Sequence, residues 1–204
     1  MNTLDRLEEL SGILDERYMT MAKARTIYQL FSRYKNPPKK VVEIGTYCGT
    51  GAILMAAMVE PWGGEVITID KPWTGEPNKH FTKNADDWVN ELGVKNVTIV
   101  RRKDGGQGWF KDYLKTRDQK ERLDFVYIDG GHTWDNTANQ FILAYAALRH
   151  GGWMCFDDVE SKKWEDVRLI WDNVVLKSKI GKHARITNRL GFLMRYDYND
   201  NLLP

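Results

Sequence analysis

Aspartates stand at or shortly after four of the five apolar runs in the middle of this chain, and their placement indicates a site. Asp70, Asp104 and Asp129 each follow one run, and Asp157 with Asp158 closes a fourth. If these runs are parallel strands, their carboxyl ends meet at one edge of a sheet, where ligands bind in open α/β folds. We therefore expect these carboxylates to lie at a single ligand-binding edge.

A glycine-rich turn follows the first apolar run, with the sequence Glu43-Ile44-Gly45-Thr46-Tyr47-Cys48-Gly49-Thr50-Gly51. Glycine has no Cβ, so the backbone can turn tightly there and approach a ligand closely. The turn lacks both the dinucleotide-binding pattern of glycines and the Lys-Ser or Lys-Thr pair of a phosphate-binding loop. About 20 residues later, Asp70 is placed to accept hydrogen bonds from a ribose diol. The combination indicates an adenosine-type ligand, and a turn that only packs a helix is the alternative.

Alternating periods of hydrophobicity predict the elements that position these residues. Helical spacing over residues 4–14 and 19–34 predicts two helices before the first strand. The predicted strands are 41–44, 66–70, 97–100, 123–128, 153–156, 183–187 and 191–196, and the helices between them are 52–59, 81–92, 109–114, 136–148 and 163–175. Gly151-Gly152 is expected to break the helix before the fifth strand. The pattern predicts an α/β fold with a mostly parallel seven-stranded sheet, helices on both faces and a C-terminal antiparallel hairpin.

Composition limits the class of protein. The chain has 204 residues and is expected to form one domain, 1–204, with residues 1–40 as a helical extension. It is 42% hydrophobic and 28% charged, which is typical of globular proteins, and no apolar run approaches the roughly 18 residues that a membrane span needs. A net charge of +2 does not indicate a nucleic-acid partner. Two cysteines without metal or disulfide spacing, and no secretion signal, favour a cytoplasmic setting.

These motifs resemble those of class I S-adenosylmethionine-dependent methyltransferases. The E-x-G-x-x-x-G-x-G turn is similar to their first motif, and residues 42–49 and 66–70 resemble the catechol-type, metal-dependent O-methyltransferases. Residues 124–132 and 148–158 are similar to the macrocin and cephalosporin-type O-methyltransferases, so the matching pieces span about residues 41–160. The resemblance implies a Rossmann-like methyltransferase fold with S-adenosylmethionine as cofactor.

The resemblance also implies a set of cofactor-binding residues. It places Gly45, Thr46 and Tyr47 around the methionine portion of the cofactor and Asp70 on the ribose. Asp104 would accept from the exocyclic amine of adenine, although a turn-capping role is the alternative. The full set consists of Glu43, Gly45, Thr46, Tyr47, Gly49, Gly51, Asp70, Asp104 and Asp129.

A divalent-metal site built from Asp129, Asp157 and Asp158 is the next implication of the resemblance. Three converging carboxylates repel one another and stay ionised most easily around a hard cation such as Mg²⁺. The alternative is that Asp157 and Asp158 cap the next helix and that Asp129 serves the cofactor or the structure. His132 stands where the catechol-type enzymes place a basic residue, so we expect a general base there; a structural role at the helix that starts near Trp134 is its alternative.

The sequence thus predicts an O-methyltransferase that acts on a hydroxyl of a small molecule. A metal-independent N- or RNA methyltransferase is one alternative, supported by short basic runs at 101–103 and 177–182. A nucleotide-binding oxidoreductase or a non-catalytic adenosyl-ligand sensor is the other. Residues 71–77, the N-terminal helices and Trp134 are candidate walls of the acceptor pocket. The apolar face of the first helix could pair with a second copy in a homo-oligomer or dock on its own domain.

Overall fold

The structure, a computed structural model, describes residues 2–14, 19–34, 36–72, 83–116, 121–178, 180–185 and 189–196. The chain forms two compact units, residues 1–105 and 106–204, and the single domain expected from the sequence stays a prediction. Of the predicted pocket loop, residues 73–77 lie outside the described residues, as do residues 81–82 of the predicted helix 81–92 and residues 186–187 of the predicted strand 183–187. Among the helices of the described ranges, none has both the length and the hydropathy that crossing a bilayer requires.

The first unit contains a parallel sheet with the strand order β3-β2-β1. Its strands are β1 (Lys40–Ile44), β2 (Glu65–Asp70) and β3 (Val97–Arg101), and its helices are α1 (Thr3–Ile13), α2 (Met21–Ser32), α3 (Thr50–Val59) and α4 (Ala85–Glu91), with a 3-10 turn at Glu60–Trp62. Ile44 pairs with Ile69, and Asp70 pairs with Arg101. The register therefore brings the start of the glycine turn beside the end of β2.

Helix α3 is the centre of the first unit. Nine of its ten residues are buried, because α1 and α2 pack against it as well as the sheet. Leu7 and Leu10 of α1 are 0% and 1% exposed, so the apolar face of that helix docks on its own unit, while Leu4 and Ile13 remain exposed. Burial on all sides explains why α3 is an almost continuous apolar sequence with no polar face.

The second unit contains the strand order β4-β5-β7-β6. Its elements are α5 (Gly105–Thr116), β4 (Leu123–Ile128), α6 (Trp134–Ala147), β5 (Leu148–Phe156), α7 (Glu165–Ile170) with a π-helical turn at Trp171–Val175, β6 (Gly181–Arg185) and β7 (Gly191–Arg195). Strands β4 and β5 are parallel, whereas β7 is antiparallel to both β5 and β6. The predicted C-terminal hairpin is therefore present, and β6 begins two residues before its predicted start.

The prediction that Gly151-Gly152 ends a helix before the fifth strand is wrong. Both glycines lie inside β5, which begins at Leu148. Gly151 has a φ of 71°, and a Cβ on Gly152 would lie 3.1 Å from the carbonyl oxygens of Leu123 and Asp124. The register of β4 and β5 shifts at the same place. The glycines mark a close approach of two strands at a bulge.

Candidate functional site

Left-handed backbone at three positions shapes the glycine turn. The φ angles are 100° at Gly45, 46° at Tyr47 and 88° at Gly49. The Gly45 N–H donates to the carbonyl of Ile69 at 2.9 Å, which fixes the turn to the end of β2. A Cβ on Gly49 would lie 2.8 Å from the Cβ of Ala85. Gly49 is thus required both by its backbone conformation and by the approach of α4.

A buried polar group lies beneath the turn. Glu43, Thr46 and Thr68 are 2%, 3% and 0% exposed. The Thr68 hydroxyl donates to Glu43 Oε2 at 2.5 Å and lies 2.7 Å from Thr46 Oγ1. Because the single hydroxyl proton of Thr68 is used towards Glu43, the Thr46 hydroxyl donates to Thr68 Oγ1. A Cβ on Gly51 would meet the Glu43 carboxylate. Glu43 therefore supports the buried side of the turn. The sequence analysis missed Thr68, whose signal is a hydroxyl residue within an otherwise apolar strand.

Asp70 holds the turn from the side. Its Oδ2 accepts a hydrogen bond from the Tyr47 N–H at 2.9 Å, and its Oδ1 accepts one from the Lys71 N–H at 2.7 Å. A carboxylate has about four acceptor positions, so Asp70 can also accept from the hydroxyls of a ligand. Tyr47 has a strained backbone and an exposed side chain, features that cluster at ligand sites. The structure brings the predicted turn and the predicted acid together.

The carboxylate of Asp104 is held by a neighbouring arginine. Arg102 donates to its two oxygens through Nε and Nη2 at 2.8 and 3.0 Å. The Arg102 N–H in turn donates to the carbonyl of Asp70 at 2.9 Å, so the segment after β3 is tied to the end of β2. To contact adenine as well, the Asp104 carboxylate would have to accept from the adenine amine and from Arg102 at the same time.

In the second unit, Asp129, His132 and Asp158 form a cluster, the Asp–His cluster. Nε2 of His132 lies 3.7 Å from Asp129 Oδ1 and 3.4 Å from Asp158 Oδ2. One ligand atom from each of the three residues lies within 4.8 Å of the others, a spacing that can hold a metal ion. Two predicted metal ligands and the predicted base therefore lie together on the loops after β4 and β5.

The two carboxylates change the protonation of the imidazole. Burial by itself lowers the pKa of His132, but the interactions with Asp129 and Asp158 outweigh burial and raise the pKa from 6.5 to about 9. The imidazole is consequently a cation at neutral pH in this arrangement. The imidazole must be neutral to accept a proton, and a cation bound to the carboxylates would favour the neutral form by offsetting their charge.

Asp157 lies outside the Asp–His cluster, although the sequence placed it among the metal ligands. It is 3% exposed, and its Oδ2 and Oδ1 accept from the Tyr127 hydroxyl and the Asp158 N–H, each at 2.6 Å. Burial, followed by the nearby carboxylates, raises the pKa of Tyr127, so this phenol remains a donor. The Asp157-Asp158 pair does not cap the next helix either, since the N-cap of α7 is Trp164.

Arg189 is a second cation at the cluster and was not found from the sequence. Its guanidinium forms an ion pair with Asp158 Oδ1, while the imidazole of His132 faces Oδ2. Asp158 and Arg189 both have left-handed backbones, with φ of 60° and 67°, and the Val159 N–H donates to the Arg189 carbonyl at 3.0 Å. The two residues lie 31 positions apart, so only the hairpin geometry reveals the pair.

The donor set of the cluster is compatible with a divalent cation. Two carboxylates and an imidazole suit a borderline cation such as Zn²⁺ better than Mg²⁺, which prefers oxygen ligands. Asp129 and Asp158 could serve as oxygen ligands with His132 left as a base, or all three could bind the metal. In either case, a bound cation would provide the positive charge beside Asp158 that His132 and Arg189 provide in this structure.

A cavity of about 340 Å³ lies in the first unit between the two N-terminal helices, which the sequence proposed as walls of the acceptor pocket. It is lined by Leu4, Glu8, Arg25, Tyr28, Gln29, Ser32 and Arg33. Arg25 and Glu8 form an exposed ion pair on its wall. The lining contains no residue of the glycine turn, so this cavity is separate from the predicted cofactor residues.

A family described as a methyltransferase domain matches residues 42–159 of the 204. The chain belongs to this methyltransferase family. The matched span begins before the glycine turn and ends after Asp158. An uncharacterised protein of Acanthamoeba polyphaga mimivirus is 27% identical over 144 residues, which are 70% of this chain, and the match spans 62% of that relative's length.

Solved methyltransferase structures share the fold. The O-methyltransferase TomG from Streptomyces achromogenes, in complex with S-adenosylmethionine, is 19% identical with a TM-score of 0.59 over 97% of this chain and 91% of that chain. The S-adenosylhomocysteine-bound methyltransferase PaMTH1 from Podospora anserina is 12% identical with a TM-score of 0.68 over 97% and 89%. An O-methyltransferase from Bacillus cereus with S-adenosylhomocysteine is 17% identical with a TM-score of 0.61 over 94% and 89%. The predicted Rossmann-like α/β class is confirmed.

Proposed function

We propose that this member of the methyltransferase family is an S-adenosylmethionine-dependent O-methyltransferase that acts on a hydroxyl of a small molecule and uses a divalent cation. The observation that carries the proposal is the hydrogen-bonded turn at residues 45–51, held by Asp70 at the end of β2. Support also comes from the solved structures of the same fold, whose ligands are S-adenosylmethionine or S-adenosylhomocysteine. Family membership favours this function over the oxidoreductase alternative.

The first unit would bind the cofactor. The backbone of Gly45, Thr46 and Tyr47 would surround its methionine portion, because Tyr47 and Gly45 are held in left-handed conformations that keep the turn open. Asp70 would accept from the ribose hydroxyls in addition to its two backbone donors. Asp104 would accept from the adenine amine with the same carboxylate that Arg102 binds.

The second unit would activate the acceptor. Asp129 and Asp158 would hold the cation, and Asp157 would orient Asp158 through the hydrogen bond to its N–H, in place of the direct ligand role that the sequence indicated. A bound divalent cation would make the acceptor hydroxyl more acidic. His132 would take the hydroxyl proton at Nε2 while the acceptor oxygen attacks the methyl carbon in line with the departing sulfur. S-adenosylhomocysteine and the methyl ether would be the products.

Calorimetry with S-adenosylhomocysteine, with and without Mg²⁺ or Mn²⁺, tests the cofactor and the metal together. We expect the ligand to bind the wild-type protein and the cation to bind a second, independent site that Asp129→Asn removes. Mass spectrometry of a panel of hydroxyl-bearing acceptors would then show the addition of one methyl group. Absence of S-adenosylhomocysteine binding would contradict the proposal at its first step.

A metal-independent methyltransferase is a second candidate, because one observation favours it. Asp158 already has a cation near each oxygen, His132 on one side and Arg189 on the other. Methyl transfer that persists at full rate with a chelator present would support this candidate. If RNA were the acceptor, its affinity would also fall steeply as salt is raised.

A further inference from the structure

Trp164 contacts one face of the His132 imidazole. The two rings are stacked, with centroids 4.1 Å apart and planes 12° apart. Trp164 immediately precedes α7, whereas His132 lies on the loop between β4 and α6. The edge of the same imidazole faces Asp129 and Asp158. The ring therefore has carboxylates at its edge and an indole against its face.

The contacts at the edge leave the plane of the imidazole undetermined. The distances of 3.7 and 3.4 Å from Nε2 to the carboxylates exceed the roughly 2.7–3.2 Å of a well-formed N–H···O hydrogen bond. Charge attraction at such distances depends little on the angle of the ring. Stacking does depend on it, because two parallel rings lose contact area when one of them turns. The indole is thus the group that can fix the plane.

Hydrogen bonds hold Trp164 itself in place. The Ser161 N–H donates to the carbonyl of Asp158 at 2.9 Å, and the Trp164 N–H donates to Ser161 Oγ at 3.3 Å. Asp166 Oδ2 accepts from the Trp134 N–H at 2.9 Å, which ties the first turn of α7 to the first turn of α6. The loop that presents the indole is therefore bonded both to the residue that His132 faces and to the helix that follows His132.

We infer that Trp164 is a positioning residue for His132: its indole holds the imidazole plane so that Nε2 stays turned towards Asp129 and Asp158. This inference rests on the proposed function, in which the acceptor hydroxyl lies at those carboxylates. A tryptophan that only filled space could be replaced by any apolar side chain of suitable size. A positioning tryptophan needs a flat ring, so Trp164→Phe should retain the effect and Trp164→Leu should lose it.

Ring signals of histidine in NMR spectra test the inference without an acceptor. The chain has four histidines, and a His132→Gln spectrum assigns the signal of interest. With S-adenosylhomocysteine bound, we expect the His132 ring protons to be shifted upfield by the indole in wild type and in Trp164→Phe, and to move towards the unstacked position in Trp164→Leu. Trp109→Leu is the matched control, because it removes another stacked pair, that of Trp109 and Tyr113. It should leave the His132 signals unchanged.

Turnover separates positioning from folding. On an acceptor found in the hydroxyl panel, Trp164→Leu should lower kcat about tenfold or more, part of the 10²–10⁴ that a positioned base contributes. KM for S-adenosylmethionine and calorimetric binding of S-adenosylhomocysteine should stay unchanged, and Trp164→Phe should restore most of kcat. Unchanged His132 signals in Trp164→Leu, or equal losses in the Phe and Leu variants, would overturn the inference. A wild-type protein without turnover on any acceptor would contradict the proposed function instead. A crystal structure of Trp164→Leu would still decide the role of Trp164, because an imidazole plane unchanged from wild type would overturn the inference.

Discussion

At the scale of single residues, the candidate site depends on carboxylates whose partners differ. Asp70 accepts from backbone N–H groups, Asp157 from a phenol and a backbone N–H, and Asp158 faces two cations. Asp104 is bound by one arginine. Residue type and spacing therefore located the acids, but the partners decide which of them is available to a ligand. Binding experiments on variants of Asp70 and Asp129 test the proposed cofactor and cation sites most directly.

Replacing Asp70 by asparagine should weaken the binding of S-adenosylhomocysteine. The amide has no charge and one acceptor oxygen instead of two, so it cannot serve both its backbone donors and a ribose diol. Loss of hydrogen bonds to a charged group costs about 1.5–3 kcal/mol, which is about a 10- to 150-fold rise in Kd. Asp86→Asn is the control, because that exposed carboxylate pairs with Arg101 instead. Calorimetry on the two variants makes the comparison, and equal affinities would exclude Asp70 as a ligand residue.

The pKa of His132 should fall when either carboxylate of the cluster is neutralised. In the protein without added metal, an NMR titration of the imidazole should give a pKa of about 9. Asp129→Asn removes one of the two charges that raise it, so the midpoint should move towards the usual 6.5. Asp135→Asn, which changes an exposed carboxylate in the first turn of α6, should leave it in place. A wild-type midpoint near 6.5 would mean that the carboxylates do not stabilise the imidazolium.

At the scale of elements, the glycine turn is fixed by both strand register and helix packing. β1 and β2 are paired so that Gly45 bonds to Ile69, and α4 closes on Gly49 through Ala85. The position of α4 is set by a capping box between Asn84 and Asp87. The glycine turn is therefore sensitive to the placement of a helix that carries none of the predicted site residues.

Gly49→Ala should destabilise the first unit more than Gly63→Ala does. Both glycines have left-handed backbones, with φ of 88° and 67°, so both variants incur the roughly 1–2 kcal/mol cost of that conformation. Only Gly49 has a neighbour in the way, because its Cβ would lie 2.8 Å from Ala85 Cβ while the space at Gly63 is open. Urea unfolding measures the two free energies, and Gly49→Ala should also weaken S-adenosylhomocysteine binding. Equal destabilisation of the two variants would show that α4 can move away from the new Cβ at no cost in the free energy of unfolding.

At the scale of the whole molecule, sequence periodicity predicted the order and type of the elements, because alternation between apolar strands and amphipathic helices is a local signal. The periodicity assigned Gly151-Gly152 wrongly as the end of a helix. In sequence, a glycine that leaves room for a neighbouring strand cannot be distinguished from a glycine that ends a helix. The acids at the strand ends were also predictable. Thr68, Arg189 and Trp164 were not, since their roles come from contacts with residues 22 to 32 positions away. That the two groups of acids share one edge stays a prediction.

Stability of the protein should decrease from mildly acidic to alkaline pH because of His132. Its pKa in the folded state is about 9, above the 6.5 of the unfolded chain, so the folded state binds this proton more tightly. The stabilisation is fully present below pH 6.5 and is lost as pH rises through 9. The difference between the two pKa values corresponds to at most about 3 kcal/mol. Urea unfolding of the metal-free protein between pH 6 and 9.5 measures the decline. His132→Gln should flatten it, whereas His150→Gln should not, and a decline of the same size in both variants would assign the pH dependence to other groups.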